Sequence, residues 1–259
     1  MLLENTVAVV TGGGRAIGRA IALNLAAEGA DVVLAARSVE PMEEVAGQIR
    51  DCGQRALVLP MDLADPASVA RGAQRALEEF GRVDVLVNNS GVGGPSRPLW
   101  EIEPQEWEET FRVNVTGSYL ACRAFLPSMI QAGSGAVVFI GSASGKRPLV
   151  NRTPYTASKM ALVGLVRTLA TEVGPYGVRA NLISPGAVEG ERLDWVIEQQ
   201  ASARGVSVKQ ARADFSSASP LHRLVTAQDV ARATVFLASS HAAAITGEDL
   251  NVSAGLAMY

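Results

Sequence analysis

The chain has 259 residues, of which 48% are apolar and 19% charged, with a net charge of −3 and a pI near 5.5. That length suits one large α/β domain or two small ones, and the composition supplies a sizeable core and argues against disorder. A slightly acidic balance offers no footing for nucleic acid or an anionic membrane surface.

No apolar run approaches the ~20 residues that cross a bilayer. The start, Met1-Leu2-Leu3-Glu4-Asn5, lacks the basic and long apolar stretches of a signal peptide. The protein is therefore expected in the cytoplasm, without a membrane partner. Cys52 and Cys122 have no metal-ligand spacing and suit a reducing compartment, with Cys122 in an apolar helical stretch as a core residue.

In chain order, β-branched runs alternate with helical patterns. Thr6 to Val10 reads as a strand, and Ala16 to Glu28 as a helix whose Ile17, Ala20, Ile21 and Leu25 share a face, stopped by Gly29. Asp31 to Ala36 is the next strand, Val39 to Arg50 a helix, Ala56 to Leu59 a strand, Pro66 to Phe80 a helix and Val83 to Val87 a strand. The rhythm resumes with a strand at Val137 to Ile140, a helix at Pro154 to Val173, a strand at Val178 to Ile183 and a last short strand at Asn251-Val252. Strands apolar on both faces are those of a parallel sheet, so the alternation predicts right-handed βαβ crossovers and a doubly wound α/β sheet. The least regular stretch, Gly186 to Pro220, is expected to be a substrate lid near the strand ends.

The first strand runs into Thr11-Gly12-Gly13-Gly14-Arg15-Ala16-Ile17-Gly18 and then a helix. A glycine turn in this place lets backbone approach a pyrophosphate, and the helix start adds free N–H groups and a positive dipole end. Tyr155-Thr156-Ala157-Ser158-Lys159 puts a phenol and an ammonium on one helical face. A phenol of pKa near ~10 is a poor base at neutral pH, and a neighbouring ammonium stabilises its ionised form. Ser142 follows a strand at its carboxyl end, where open sheets bind ligands, and Asn114 can hold a water behind the lysine.

In dinucleotide folds an acid about 20 residues past the turn selects NAD, whereas an arginine there accepts the 2′-phosphate of NADP. Here Ala36 stands at the acid position, followed by Arg37 and Ser38, with Arg15 in reach. This favours NADP(H), with NAD(H) as the alternative.

These motifs resemble the short-chain dehydrogenase/reductase family over Thr11 to about Val252. The turn is similar to its Thr-Gly-x-x-x-Gly-x-Gly, with Ala16 for the usual middle glycine. Asn88-Asn89-Ser90-Gly91 resembles its Asn-Asn-Ala-Gly, with Ser90 for alanine. The resemblance implies a single Rossmann domain over 1–259. It implies Tyr155 as acid/base, Lys159 also on the nicotinamide ribose, Ser142 polarising the substrate oxygen and Asn114 anchoring a relay water. Gly12, Gly14, Arg15, Ile17 and Gly18 would hold the pyrophosphate side. Asp62 and Leu63 would lie by the adenine, and Asn89, Pro185, Gly186 and Val188 would line the cofactor. Gly190 stands where many members carry a threonine, so that contact is not carried over.

A homotetramer is likewise implied, with the apolar tail Leu256 to Tyr259 packing on a neighbour or framing its site. The substrate is expected to be a small carbonyl or secondary alcohol. Polyol or sugar oxidation with NAD and 3-oxoacyl thioester reduction are alternatives. The stretches Met129 to Ala132 and Gly174 to Tyr176 carry no Lys or Arg, which counts against an acidic carrier protein. Arg97, Arg147, Arg152 and Arg192 are each either a surface ion-pair member or a binder of a substrate carboxylate, phosphate or sulfonate. No metal is expected, since His222 and His241 lack ligand spacing. A catalytically dead cofactor sensor and an extended epimerase are the rival classes. The first leaves the polar set at Tyr155 unexplained, and the second needs a longer C-terminal domain.

Overall fold

Alternate residues of the first strand face opposite layers: Val7 and Val9 pack into one apolar cluster, Ala8 and Val10 into another. This pattern, repeated in each strand, produces a three-layer α/β sandwich in the computed structural model, which describes residues 1–259. The strands are β1 Val7–Thr11, β2 Asp31–Ala36, β3 Ala56–Pro60, β4 Val85–Asn88, β5 Gly135–Ile140, β6 Val178–Pro185 and β7 Asp249–Val252. They form one seven-stranded sheet in the order β3-β2-β1-β4-β5-β6-β7, every pair parallel.

The helices are α1 Ala16–Ala27, α2 Val39–Asp51, α3 Pro66–Phe80, α4 Pro104–Phe111, α5 Gly117–Ala132, α6 Thr153–Val173, α7 Glu191–Arg204, α8 Val208–Ser217 and α9 Ala227–Ala238. One core of 27 buried residues joins the sheet to α3, α5 and α6, and a second of 26 joins its other face to α1, α2 and α9. The expected doubly wound sheet is thus present, and its order reverses between β1 and β4, the place where such sheets open a ligand crevice.

Several boundaries differ from the sequence reading. β4 starts at Val85 rather than Val83, because the preceding Asp84 turns its carboxylate to the Val7 N–H (2.9 Å) and to Arg82. β5, β6 and β7 are each longer than their most apolar runs. The region between β4 and β5 holds α4 and α5, of which the sequence pattern points only to the helical stretch around Cys122. Pro104 in the first turn and the reciprocal Glu103–Glu106 capping box start α4. A π-helical turn, Arg112–Thr116, joins it to α5, whose Pro127 interrupts the simple helical signal. Residues 186–220 carry α7 and α8 with a small core of their own, Leu193, Ile197, Ala201 and Ala211.

The tail folds back on its own chain. Tyr259 donates its hydroxyl to the Lys146 carbonyl (2.6 Å), and the Leu256 carbonyl accepts from Arg147.

Candidate active site

The crevice is a cleft of about 1490 Å³ along the carboxyl ends of the strands. It is lined by Gly12, Gly14, Arg15, Ile17 and Gly18 from the first turn, by Arg37 and Ser38 after β2, and by Asp62 and Leu63 after β3. Asn89 after β4, Ser142 after β5, Tyr155 and Lys159 on α6, and Pro185, Gly186 and Val188 after β6 complete the expected set. Asn114 alone of the expected residues is not in the wall: it is fully buried behind it.

The glycine turn is a cradle that side chains would fill. Gly12 has φ +67°, and a Cβ on Gly18 would lie 2.1 Å from the Gly12 carbonyl oxygen. Ala16 adopts φ +46° in place of the family's glycine, so its methyl is held in the left-handed region at an energetic cost. The turn is latched to β4 through Thr11, whose hydroxyl accepts from the N–H groups of Asn89 (3.0 Å) and Ser90 (3.1 Å), while the Asn89 amide donates to the Thr11 carbonyl (2.8 Å). Arg15 precedes α1 without a side-chain cap, leaving the first N–H groups of the helix for the cleft. A glycine-rich turn, an open helix start and a crevice at the switch point fit a dinucleotide.

At the other end, Lys159 Nζ donates to the Ile140 carbonyl (2.7 Å) and lies 6.0 Å from the centre of the Tyr155 ring. Asn114 braces this corner from behind. Its amide donates to the Val92 carbonyl (3.1 Å) and to Ser158 Oγ (2.9 Å), and its oxygen accepts from the Val92 N–H (2.8 Å). Ser142 Oγ accepts from the Ser144 N–H and donates to Ser144 Oγ (2.9 Å). Ser144 and Ser158 were missed by the sequence reading, since each is a partner of an expected residue and carries no motif of its own.

Two arginines join Tyr155. The guanidinium carbon of Arg152 lies 5.1 Å from the centre of its ring, and that of Arg192, from the first turn of α7, lies 4.9 Å from it. Burial opposes ionisation of the phenol, but Arg192, Lys159, the Ser142 hydroxyl and Arg152 outweigh it, and the Tyr155 pKa falls below the usual phenol value. Burial also lowers Lys159, opposed by the phenol and reinforced by Arg192. Cys122 is core, as expected, with burial pushing its thiol up to about 12.

The family model for short chain dehydrogenases matches residues 6–201. The chain is 34% identical over 258 residues to 3-oxoacyl-[acyl-carrier-protein] reductase FabG of Escherichia coli K12, covering 100% of both. It is 32% identical over 253 residues to 2,3-dihydro-2,3-dihydroxybenzoate dehydrogenase of Bacillus subtilis 168, covering 98% of this chain and 96% of the relative. Among solved structures, NAD+-bound xylitol dehydrogenase superposes with a TM-score of 0.95 at 27% identity, covering 98% of this chain and 100% of the other. A variant of actinorhodin polyketide ketoreductase with NADPH superposes with a TM-score of 0.93 at 32% identity, covering 98% of both. With a glycine cradle at one end of the crevice and a cation-flanked phenol at the other, this chain belongs to the short-chain dehydrogenase/reductase family of nicotinamide-dependent oxidoreductases.

Proposed function

We propose that the protein interconverts a small carbonyl compound and its secondary alcohol with NADP(H), using Tyr155 as the proton donor and acceptor. The observation that carries this reading is the phenol held among cations that draw its pKa down, in the same cleft as the glycine cradle. A bound nicotinamide supplies the hydride for reduction or accepts it for oxidation. In reduction, negative charge develops on the substrate oxygen, where the Ser142 and Tyr155 hydroxyls donate hydrogen bonds, and Tyr155 releases its proton to that oxygen. Lys159, anchored on the Ile140 carbonyl, favours the phenolate left behind. Asn114, through Val92 and Ser158, keeps the helix bearing Tyr155 and Lys159 in register with the loop after β4. In oxidation the same phenolate takes the proton back.

Arg15 and Arg37 support NADP(H). Both are exposed on the cleft wall where the adenosine end would lie, neither makes an ion pair with a carboxylate, and the acid that would select NAD is Ala36. The segment 186–220 is a lid by the same reading, since Val188 to Leu193 line the cleft while α7 and α8 pack mainly on each other. A homotetramer remains the expected assembly, with sedimentation at micromolar concentration as its check. Steady-state kinetics across ketones, aldehydes and oxidised sugars test the whole reading. Substrate-dependent NADPH consumption is expected, whereas equal efficiency with NADH would overturn the NADP part.

NAD-linked polyol oxidation is the second reading, favoured by the superposition on NAD+-bound xylitol dehydrogenase. Oxidation of xylitol or a related polyol with NAD, faster than any NADPH-linked reduction, would establish it instead.

A further inference from the structure

Most arginines of this chain have evident partners: Arg97 pairs with Glu106, Arg112 with Glu109, and Arg179 donates to the carbonyls that close α9. Arg152 and Arg192 do not. Arg152 is 2% exposed, yet it makes no ion pair, and its Nη1 is buried without a hydrogen-bond partner. Its guanidinium lies between two aromatic rings, 5.1 Å from the centre of Tyr155 and 5.1 Å from that of Trp195. Arg192, exposed on α7, has no carboxylate or hydrogen-bonded neighbour either, and lies over the same Tyr155 ring. Both forks converge on Gly93, where a Cβ would come within 3.3 Å of Arg152 Nη2 and 3.7 Å of Arg192 Nη2.

Two like charges, one of them buried and unpaired, are unfavourable by themselves. The phenol does not satisfy them, because both guanidinium groups sit against the ring and neither donates to its oxygen. The pyrophosphate and 2′-phosphate of a dinucleotide belong to the far end, by Gly12, Arg15 and Arg37. A planar fork matches the paired oxygens of an oxyanion. The missing partner is therefore a charged group on the molecule that reacts at Tyr155.

We propose that Arg152 and Arg192 form a subsite for a carboxylate, sulfonate or phosphate of the substrate, a few bonds from the carbonyl or hydroxyl group served by Tyr155. This deepens the hydride-transfer reading and rests on it. Gly93 lies against both forks, Trp195 packs on the Arg152 guanidinium, and Arg192 reaches the subsite from the lid segment. Substrate charge is thus read jointly by α6 and α7.

The test uses the full chain with NADP+. It is titrated with 4-oxopentanoate, 2-oxopropane-1-sulfonate and dihydroxyacetone phosphate, and with the uncharged methyl 4-oxopentanoate, following the fluorescence of Trp195 with Trp195→Phe as control. NADPH oxidation is then measured with the same compounds. At least one anion is expected to bind and react about 10-fold better than the neutral ester. The order among the three tells carboxylate, sulfonate and phosphate apart. Arg152→Gln and Arg192→Gln are each expected to reduce that preference about 10-fold, mainly through KM. The ligand-free Arg152→Gln protein is expected to melt no lower than the wild type, because it loses an unpaired buried charge.

The subsite is overturned if no anion binds below about 10 mM, or if charged and neutral compounds bind alike. Equal losses for both in the arginine variants, or a lower melting temperature that accompanies an unchanged preference, would also overturn it. Preferential anion binding with no carbonyl reduced would leave the subsite standing and remove the hydride-transfer reading. Reduction of the neutral ester with no anion preference would do the reverse.

Discussion

The two ends of the cleft carry the same residue type in opposite settings. At the glycine-turn end, Arg15 and Arg37 stand exposed on the cleft wall. At the Tyr155 end, Arg152 is buried against two rings with one nitrogen unpartnered, and Arg192 reaches in from α7. Solvated guanidinium groups cost little when nothing faces them, whereas a buried one is tolerated only where another group makes use of its field. On the proposed reading, one end adds affinity for a phosphate, and the other couples the charge of the substrate to the ionisation of the phenol.

The comparison breaks most severely if the phenol is not the centre of the buried end. Tyr155→Phe is expected to lower turnover by ~10²–10⁴-fold, the usual span for a general acid–base group, while cofactor affinity measured by fluorescence survives. Near-normal turnover in this variant would remove the chemical distinction between the two ends. At the exposed end, Arg37→Ala is expected to raise the KM for NADPH by about 10-fold, as for a lost charge-assisted hydrogen bond, and to leave NADH nearly unaffected. A proportional loss with both cofactors would mean that Arg37 does not read the 2′-phosphate.

The buried end is sharpened by pH. Removing Arg192 takes away the strongest of the charges that oppose the burial penalty on the phenolate, so Arg192→Gln raises the Tyr155 pKa. The phenolate is the form that accepts a proton in oxidation. The rising limb of the oxidative kcat/KM profile therefore moves to higher pH, and a limb that stays in place, measured on a neutral alcohol, would separate Arg192 from the phenol. The smallest effect belongs to the turn itself. Ala16→Gly relieves a left-handed alanine and is expected to raise stability by about 1 kcal/mol, read by denaturant melts, with nicotinamide cofactor binding retained. A destabilised variant would mean that the methyl has a packing role.

Much of this was legible in the chain because it is written locally. The β1 turn, α1 and the Tyr155–Lys159 pair depend on neighbours a few residues away, and their spacing alone places them on the correct strand end or helix face. Asn114 is legible as a residue behind the lysine, but its partners are not, since its contacts go to Val92 and Ser158, in other segments. The π-helical turn that carries it arises from shifted backbone hydrogen bonds that no side-chain pattern announces. The four arginines near the site looked equivalent in sequence. Only folding sorted them, giving Arg97 a glutamate and Arg147 a carbonyl while bringing Arg152 and Arg192, from opposite sides of β6, over one ring.

Leu193, Ile197, Ala201 and Ala211 pack as an island, apart from both apolar clusters on the sheet. All four lie on α7 and α8, so they tie these two helices to each other rather than to the sheet. Trimming a methylene there is expected to loosen the α7–α8 pair, read by local hydrogen exchange, while the melting of the sheet stays unchanged. The order of this segment and the durability of the scaffold are thus set by separate groups of side chains.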